Sequence, residues 1–186
     1  MLQVRIHGRG GQGVVTAAEM LSIAAFREGR YAQAFPSFGS ERTGAPVVAY
    51  CRIDDKPIRV REPIQRPDAL IVQDPTLVHQ VDLFAGVASG AIVVLNTART
   101  FEDLGLDELK EQFKTVAVPA TELALKHVGR PVPNAALLGA FCAFSGQIAL
   151  EALSEAIREK FAGAIAESNV AAAREAFELA CNVETA

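Results

Sequence analysis

Apolar residues alternate at Leu2, Val4 and Ile6, the two-residue period of a strand. Past a cluster of glycines the period changes, and Val14, Ala17, Ala18 and Leu21 fall on one face of a helix. Residues 31–35 read as a short second strand. Residues 47–53 form a clear strand, Asp54 to Pro57 a turn, and residues 58–61, which alternate apolar with basic, a partner strand. Residues 47–53 and 58–61 are thus expected to make a β-hairpin. Residues 69–72 and 91–95 are apolar without alternation, as in strands buried on both faces of a parallel sheet. Asp74 and Pro75 suit the N-cap and first position of a short helix.

Residues 102–112 follow as a short amphipathic helix, 115–118 as the last strand, and Pro119 opens a helix through His127. Pro131, Pro133 and Asn134 make a rigid break. From Ala135 the chain is helical, with Leu137, Leu138, Phe141, Phe144 and Ile148 on one broad face and Gly146 kinking or ending the helix. Residues 151–161 and 167–180 are two further amphipathic helices. Strands alternating with helices, then a helical tail, specify an α/β fold. It is expected as a Rossmann-like open, mostly parallel sheet with flanking helices, a β-hairpin insertion and a helical C-terminus, in one domain over residues 1–186. The helix from Ala135 carries apolar residues on more than one side, which predicts an interface with another subunit.

The glycine cluster brings in chemistry. Gly8, Gly10 and Gly13 have the G-x-G-x-x-G spacing of a phosphate loop, in which glycines let a ligand approach the backbone and the helix N-terminus offers N–H groups to an anion. A dinucleotide site also needs an acid at the end of the second strand, for the ribose. Here that strand runs into Pro36, Ser37 and Phe38, while Glu28 precedes it and Glu41 lies well past its end. A tight turn without a ligand therefore stays open, and an NAD-binding dehydrogenase is disfavoured. The segment 36–46 is rich in turn formers and carries Ser37, Ser40, Glu41, Arg42 and Thr43. Both loops follow strands at the edge where α/β sheets bind ligands, so they are expected to converge on one site suited to a phosphate. Packing of the second loop against another subunit is compatible with this.

Composition narrows the classes. The net charge is −4 with no basic run, which argues against nucleic-acid binding. No apolar run approaches the roughly 20 residues of a membrane span, and the start lacks a signal-like segment, so a cytoplasmic location is expected. Cys51, Cys142 and Cys181 lie far apart without C-x-x-C, which argues against a disulfide framework, a zinc site or an iron–sulfur cluster held by this chain. Cys142 and Cys181 are expected to be buried. His7, His79 and His127 share no metal-ligand spacing, and His7 reads as a hydrogen-bonded structural residue. Nothing resembles a nucleophile elbow, so the chain alone does not read as a complete enzyme.

Residues Gly8, Arg9, Gly10, Gly11, Gln12 and Gly13, taken with Pro36, Ser37, Phe38, Gly39, Ser40, Glu41, Arg42, Thr43, Gly44, Ala45 and Pro46, resemble the γ subunit of 2-oxoacid:ferredoxin oxidoreductases. Asn134 to Ala140 is similar to the late motif of that family, and the likeness covers essentially the whole chain. One departure is Thr43, where many relatives carry a second arginine. The resemblance implies a complex that oxidatively decarboxylates a 2-oxoacid to an acyl-CoA and passes electrons to ferredoxin or another acceptor. It implies alpha, beta and ferredoxin-like delta subunits that hold thiamine diphosphate, magnesium and 4Fe-4S clusters. The γ unit would close the active site and help to bind coenzyme A. The residues implied in that contact are Gly8, Gly10, Gly11, Gln12, Gly13, Ser37, Phe38, Gly39, Ser40, Glu41, Arg42, Thr43 and Asn134. Pyruvate, 2-oxoglutarate and aromatic acids such as phenylglyoxylate are all compatible, and a purely structural scaffold is the rival reading.

Overall fold

The computed structural model describes residues 1–37 and 43–183. Its central strand is β1 (Leu2–Arg9), whose Val4 and Ile6 are fully buried on one face while Arg5 and His7 take the other. A glycine turn leads to α1 (Val14–Arg27), then to β2 (Tyr31–Pro36) and β3 (Pro46–Asp54). Next come β4 (Ala69–Val72), a 3-10 helix (Pro75–His79), β5 (Ile92–Asn96), α2 (Glu108–Gln112) and β6 (Lys114–Val118). The chain continues through α3 (Ala120–Val128), α4 (Asn134–Ser145), α5 (Leu150–Lys160) and α6 (Gly163–Val183).

The strands form one sheet in the order β2-β3-β1-β4-β5-β6. β1, β4, β5 and β6 run parallel, and β3 is antiparallel to both of its neighbours. The α/β class and the mostly parallel sheet thus agree with the residue pattern. The hairpin does not. β3 pairs with β2, from Tyr31 opposite Asp54 to Pro36 opposite Ala49. Residues 58–61 form no strand; Arg52, on β3, donates to the carbonyls of Val60 and Glu62 instead. A guanidinium therefore holds this segment where a ladder was expected. β2 lies beyond β3 and does not lie beside β1.

α1, α3, α4, α5 and α6 share one core with the inner face of the sheet. On the other face Leu70, Val72, Val93 and Leu95 pack under an irregular cover that includes Leu77, Leu83, Phe101 and Phe113. There the helix expected over 102–112 shrinks to α2, because a turn at Gly105, with φ 66°, interrupts it. α6 is longer than expected, starting at Gly163. α4 is apolar on all sides because it is core: Leu137, Leu138 and Phe141 are fully buried against this chain's own elements, so the predicted interface there is corrected. It packs on α6 and on β5 and β6. Close approach to α6 requires Gly139, where a Cβ would lie 2.0 Å from the Ala173 carbonyl oxygen. Cys51 and Cys142 are buried, but Cys181 is exposed, against expectation, on the outer side of α6. Among the described residues no helix is long and apolar enough to cross a membrane.

Candidate functional site

The end of β1, the glycine turn and the start of α1 form a tight bend. Gly11 and Gly13 have φ of 94° and 72°, the left-handed region that side chains resist. Gly8 serves packing: a Cβ there would lie 2.6 Å from Val14 Cγ2. Gly13 also lacks room, because a Cβ would lie 2.6 Å from the Asn134 amide nitrogen. Asn134 opens α4 and is buried behind the turn. Of the predicted site residues, Gly8 and Asn134 thus support the loop from behind.

The two loops do converge. Gly10 N–H donates to the Ala45 carbonyl at 2.9 Å, and Gly44 N–H to the Gly10 carbonyl at 3.1 Å. Gly10 and Thr43 pair as an isolated parallel bridge. The cause is the β2–β3 hairpin. Two antiparallel pairings return β2 to the direction of β1, so the segment after β2 reaches the same sheet edge. Ser37 is exposed and extends this hairpin, its N–H donating to the Val48 carbonyl at 2.8 Å. Phe38, Gly39, Ser40, Glu41 and Arg42 lie outside the described residues.

The side chains of the loop turn inward. Gln12 Oε1 accepts from Arg9 N at 2.8 Å, and its Nε2 donates to Asp74 Oδ2 at 3.1 Å. Arg9 Nε donates to the same Asp74 oxygen at 3.0 Å. Its Nη1 reaches the Gly44 carbonyl at 3.0 Å, and its Nη2 reaches Thr76 Oγ1 at 2.8 Å and Gln80 Oε1 at 2.7 Å. Partial burial pushes the Asp74 carboxyl up, but hydrogen bonds from Thr76 and Gln12 and the charge of Arg9 outweigh it and hold the group below its ordinary value. Sequence reasoning gave Asp74 only a cap and gave Arg9 a place in the motif but no role at the site. Their 65-residue separation hides the pairing, and the only local signal is the Asp-Pro pair that starts the 3-10 helix.

What the loop leaves open is its backbone. Helix geometry gives the amides of Val14, Val15 and Thr16 no intrahelical acceptor. The first such bond is Ala17 N to Gly13 O at 2.9 Å, no side chain among the described residues caps α1, and its first turn holds no acid. These amides border a hollow of about 310 Å³ lined by Gly10, Gly11, Gly13, Val14, Val15 and Thr16, with Arg9 and Val47 at its sides. Unpaired N–H groups and the helix dipole favour an anion there. His7, one turn of chain away, is buried with its Nε2 lacking a partner among the described residues, so it is not the hydrogen-bonded residue expected. Burial, then the nearby charge of Arg5, lowers its pKa to about 4.

The sequence matches the family described as pyruvate ferredoxin/flavodoxin oxidoreductase over residues 3–179. It is 51% identical to the "Pyruvate/ketoisovalerate oxidoreductases common subunit gamma" of Thermococcus kodakarensis, over 95% of this chain and 96% of that one. The crystal structure of pyruvate oxidoreductase subunit PORC from Thermotoga maritima superposes with a TM-score of 0.80 at 34% identity, covering 95% of each chain. A 2-oxoglutarate:ferredoxin oxidoreductase from Magnetococcus marinus, solved with 2-oxoglutarate, coenzyme A and succinyl-CoA bound, contains the same fold. The TM-score is 0.76 at 20% identity, over 96% of this chain and 31% of that one.

Proposed function

The chain belongs to the pyruvate ferredoxin/flavodoxin oxidoreductase family as a gamma subunit, and on that premise we propose that its glycine loop holds a phosphate group of coenzyme A at the active site of the complex. The observation that carries this reading is the row of amides at the start of α1, left without an intrahelical acceptor by helix geometry and without a side-chain cap among the described residues, facing a hollow with no acid in the first helical turn. Coenzyme A offers a diphosphate and a ribose phosphate, both of which suit such donors. A hollow of about 310 Å³ takes a phosphate portion of that molecule and leaves the remainder to neighbouring subunits. In this reading Arg42 is the residue of the second sequence motif suited by its charge to a phosphate. Thiamine diphosphate, magnesium and the 4Fe-4S clusters belong to the alpha, beta and delta partners in this reading. Those partners carry the decarboxylation and pass electrons to ferredoxin, in the cytoplasm. The names of the relatives favour pyruvate or a branched 2-oxoacid as the substrate class.

One observation favours the scaffold reading, in which the chain only assembles its partners. The Arg9 guanidinium, the cation beside the hollow among the described residues, is already committed to Asp74, Gly44, Thr76 and Gln80. The test is Gly11→Ala in the assembled complex. A Cβ at Gly11 meets no atom of the described residues within 4 Å, so the described fold tolerates it except for the strain of φ 94°. Gly11 lines the hollow, and strain at φ 94° that turns the loop by enough to lose one charge-assisted hydrogen bond, roughly 1.5–3 kcal/mol, raises the KM for coenzyme A about tenfold or more. The KM for the 2-oxoacid changes little. A normal KM for coenzyme A in an intact variant complex decides for the scaffold.

A further inference from the structure

We propose that Asp74 is a positioning residue that presets the glycine loop for its ligand; this rests on the reading of that loop as the coenzyme A contact. Both oxygens of the Asp74 carboxylate are shared between two elements. Oδ2 accepts from Arg9 and from Gln12, both in the glycine loop. Oδ1 accepts from the backbone and the hydroxyl of Thr76, at 3.0 and 2.5 Å, in the first turn of the 3-10 helix. The loop is thereby pinned to the end of β4, an ordered strand buried along its whole length.

The pinning sets the backbone through Gln12. This side chain folds back so that its Oε1 caps the Arg9 amide, and Asp74 holds the other end of the same carboxamide. The carboxamide is fixed in its flip, because only its nitrogen can face a carboxylate. Arg9 carries the constraint onward to the Gly44 carbonyl, next to the pair of bonds that joins Gly10 to Gly44 and Ala45. One carboxylate therefore ties the glycine loop, the return of the β2–β3 hairpin and the 3-10 helix into a single unit. Its side chain is 14% exposed, and hydrogen bonds together with Arg9 keep it ionised at neutral pH. An anionic ligand would normally compete for Arg9. A carboxylate already in place holds that guanidinium at the side of the hollow and leaves the ligand to the amides.

The experiment uses the assembled complex with Asp74→Ala and Asp74→Asn, beside Gly11→Ala. Asparagine retains one acceptor oxygen, which can serve Gln12 or Thr76 but not both, and loses the charge that faces Arg9. Hydrogen exchange reports the loop directly at the Gly10 and Gln12 amides, which are bonded to Ala45 and Arg9. In Asp74→Ala these two amides exchange about tenfold faster or more, and the KM for coenzyme A rises by about fivefold to tenfold with kcat and the 2-oxoacid KM within about twofold. Asp74→Asn lies between the wild type and Asp74→Ala on both readouts. Unchanged exchange at these amides overturns the proposal, whatever the kinetics show. So does a variant that lowers kcat and both substrates' kcat/KM alike, or in which both Asp74 variants fail to assemble, since either marks a general structural role. If Gly11→Ala raises the KM for coenzyme A and Asp74→Ala does not, the proposal falls and the coenzyme A reading stands. If exchange accelerates but neither variant affects coenzyme A, the coenzyme A reading falls, and with it the claim that the preset serves a ligand.

Discussion

Gly139→Ala is the substitution on which the helical layer can be judged. A new methyl group at this position would sit 2.0 Å from the Ala173 carbonyl oxygen, 2.7 Å from its carbon and 2.8 Å from its Cα. All three atoms are backbone, so no side-chain rotation relieves the clash. Ordinary contact begins at 3.4 Å, and 3.4 minus 2.0 leaves a parting of roughly 1.4 Å between α4 and α6. A gap of even 0.5–1 Å forfeits about a quarter to a half of each dispersion contact along the seam. Overpacking of this kind costs about 1–3 kcal/mol, and the backbone contact places it at the upper end. Against this, alanine is favoured over glycine inside a helix by about 1 kcal/mol. The difference is a net loss of about 2 kcal/mol, which for a chain of this size lowers the melting temperature by about 4–8 °C. Thermal unfolding followed by far-UV circular dichroism measures it. Gly146→Ala is the comparison, because there a Cβ meets no atom of the described residues within 4 Å and the φ of 61° is what opposes it. Its cost is about 1 kcal/mol. If Gly139→Ala leaves the melting temperature unchanged or raises it, α4 and α6 are not in backbone contact and the account of this seam is wrong.

Three further outcomes are expected. His7, with its folded pKa near 4 against an ordinary 6.5, contributes stability that is complete above about pH 6.5 and is lost as pH falls toward 4; His7→Leu flattens the urea midpoint across this window, and an unaltered slope would contradict it. Arg52→Met releases the carbonyls of Val60 and Glu62, so limited trypsin digestion cuts faster at the exposed Arg59 and Arg61; equal rates would show that the segment is held by something else. The purified chain alone, supplied with thiamine diphosphate and a dye acceptor, turns over no 2-oxoacid, and any turnover would show that it carries chemistry assigned here to its partners.

Local periodicity made β1, α1, β4, β5, β6 and the late helices legible, because each buries one stripe or both faces of a short run. It could not assign partners. Residues 58–61 alternate as a strand does, yet their carbonyls belong to Arg52, a long-range choice that leaves no local trace. The apolar surround of α4 was equally ambiguous, since a helix buried in its own core and one buried by another subunit have the same pattern. At the site, the glycine spacing was readable and the glycine turn does meet the end of the second loop at residues 43–45, though the expectation rested on a parallel second strand that is in fact the edge of an antiparallel pair. The late stretch from Asn134 to Ala140 carried a family likeness without a reason. The structure supplies one at each end, since Asn134 backs the Gly13 turn and Gly139 admits α6. Arg9 and Asp74 stayed hidden because their partnership exists only once β1 and β4 lie side by side.

The contact between Gly13 and Asn134 also has a timetable. The two residues are separated by 121 positions, and a ribosome adding about 5–20 residues per second makes the second one about 6–24 s after the first. During that interval the nascent chain can assemble β1, β2, β3 and α1, and later β4, while the back of the glycine turn is still bare. The glycine turn is therefore finished only after α4 has been made, long after its own synthesis.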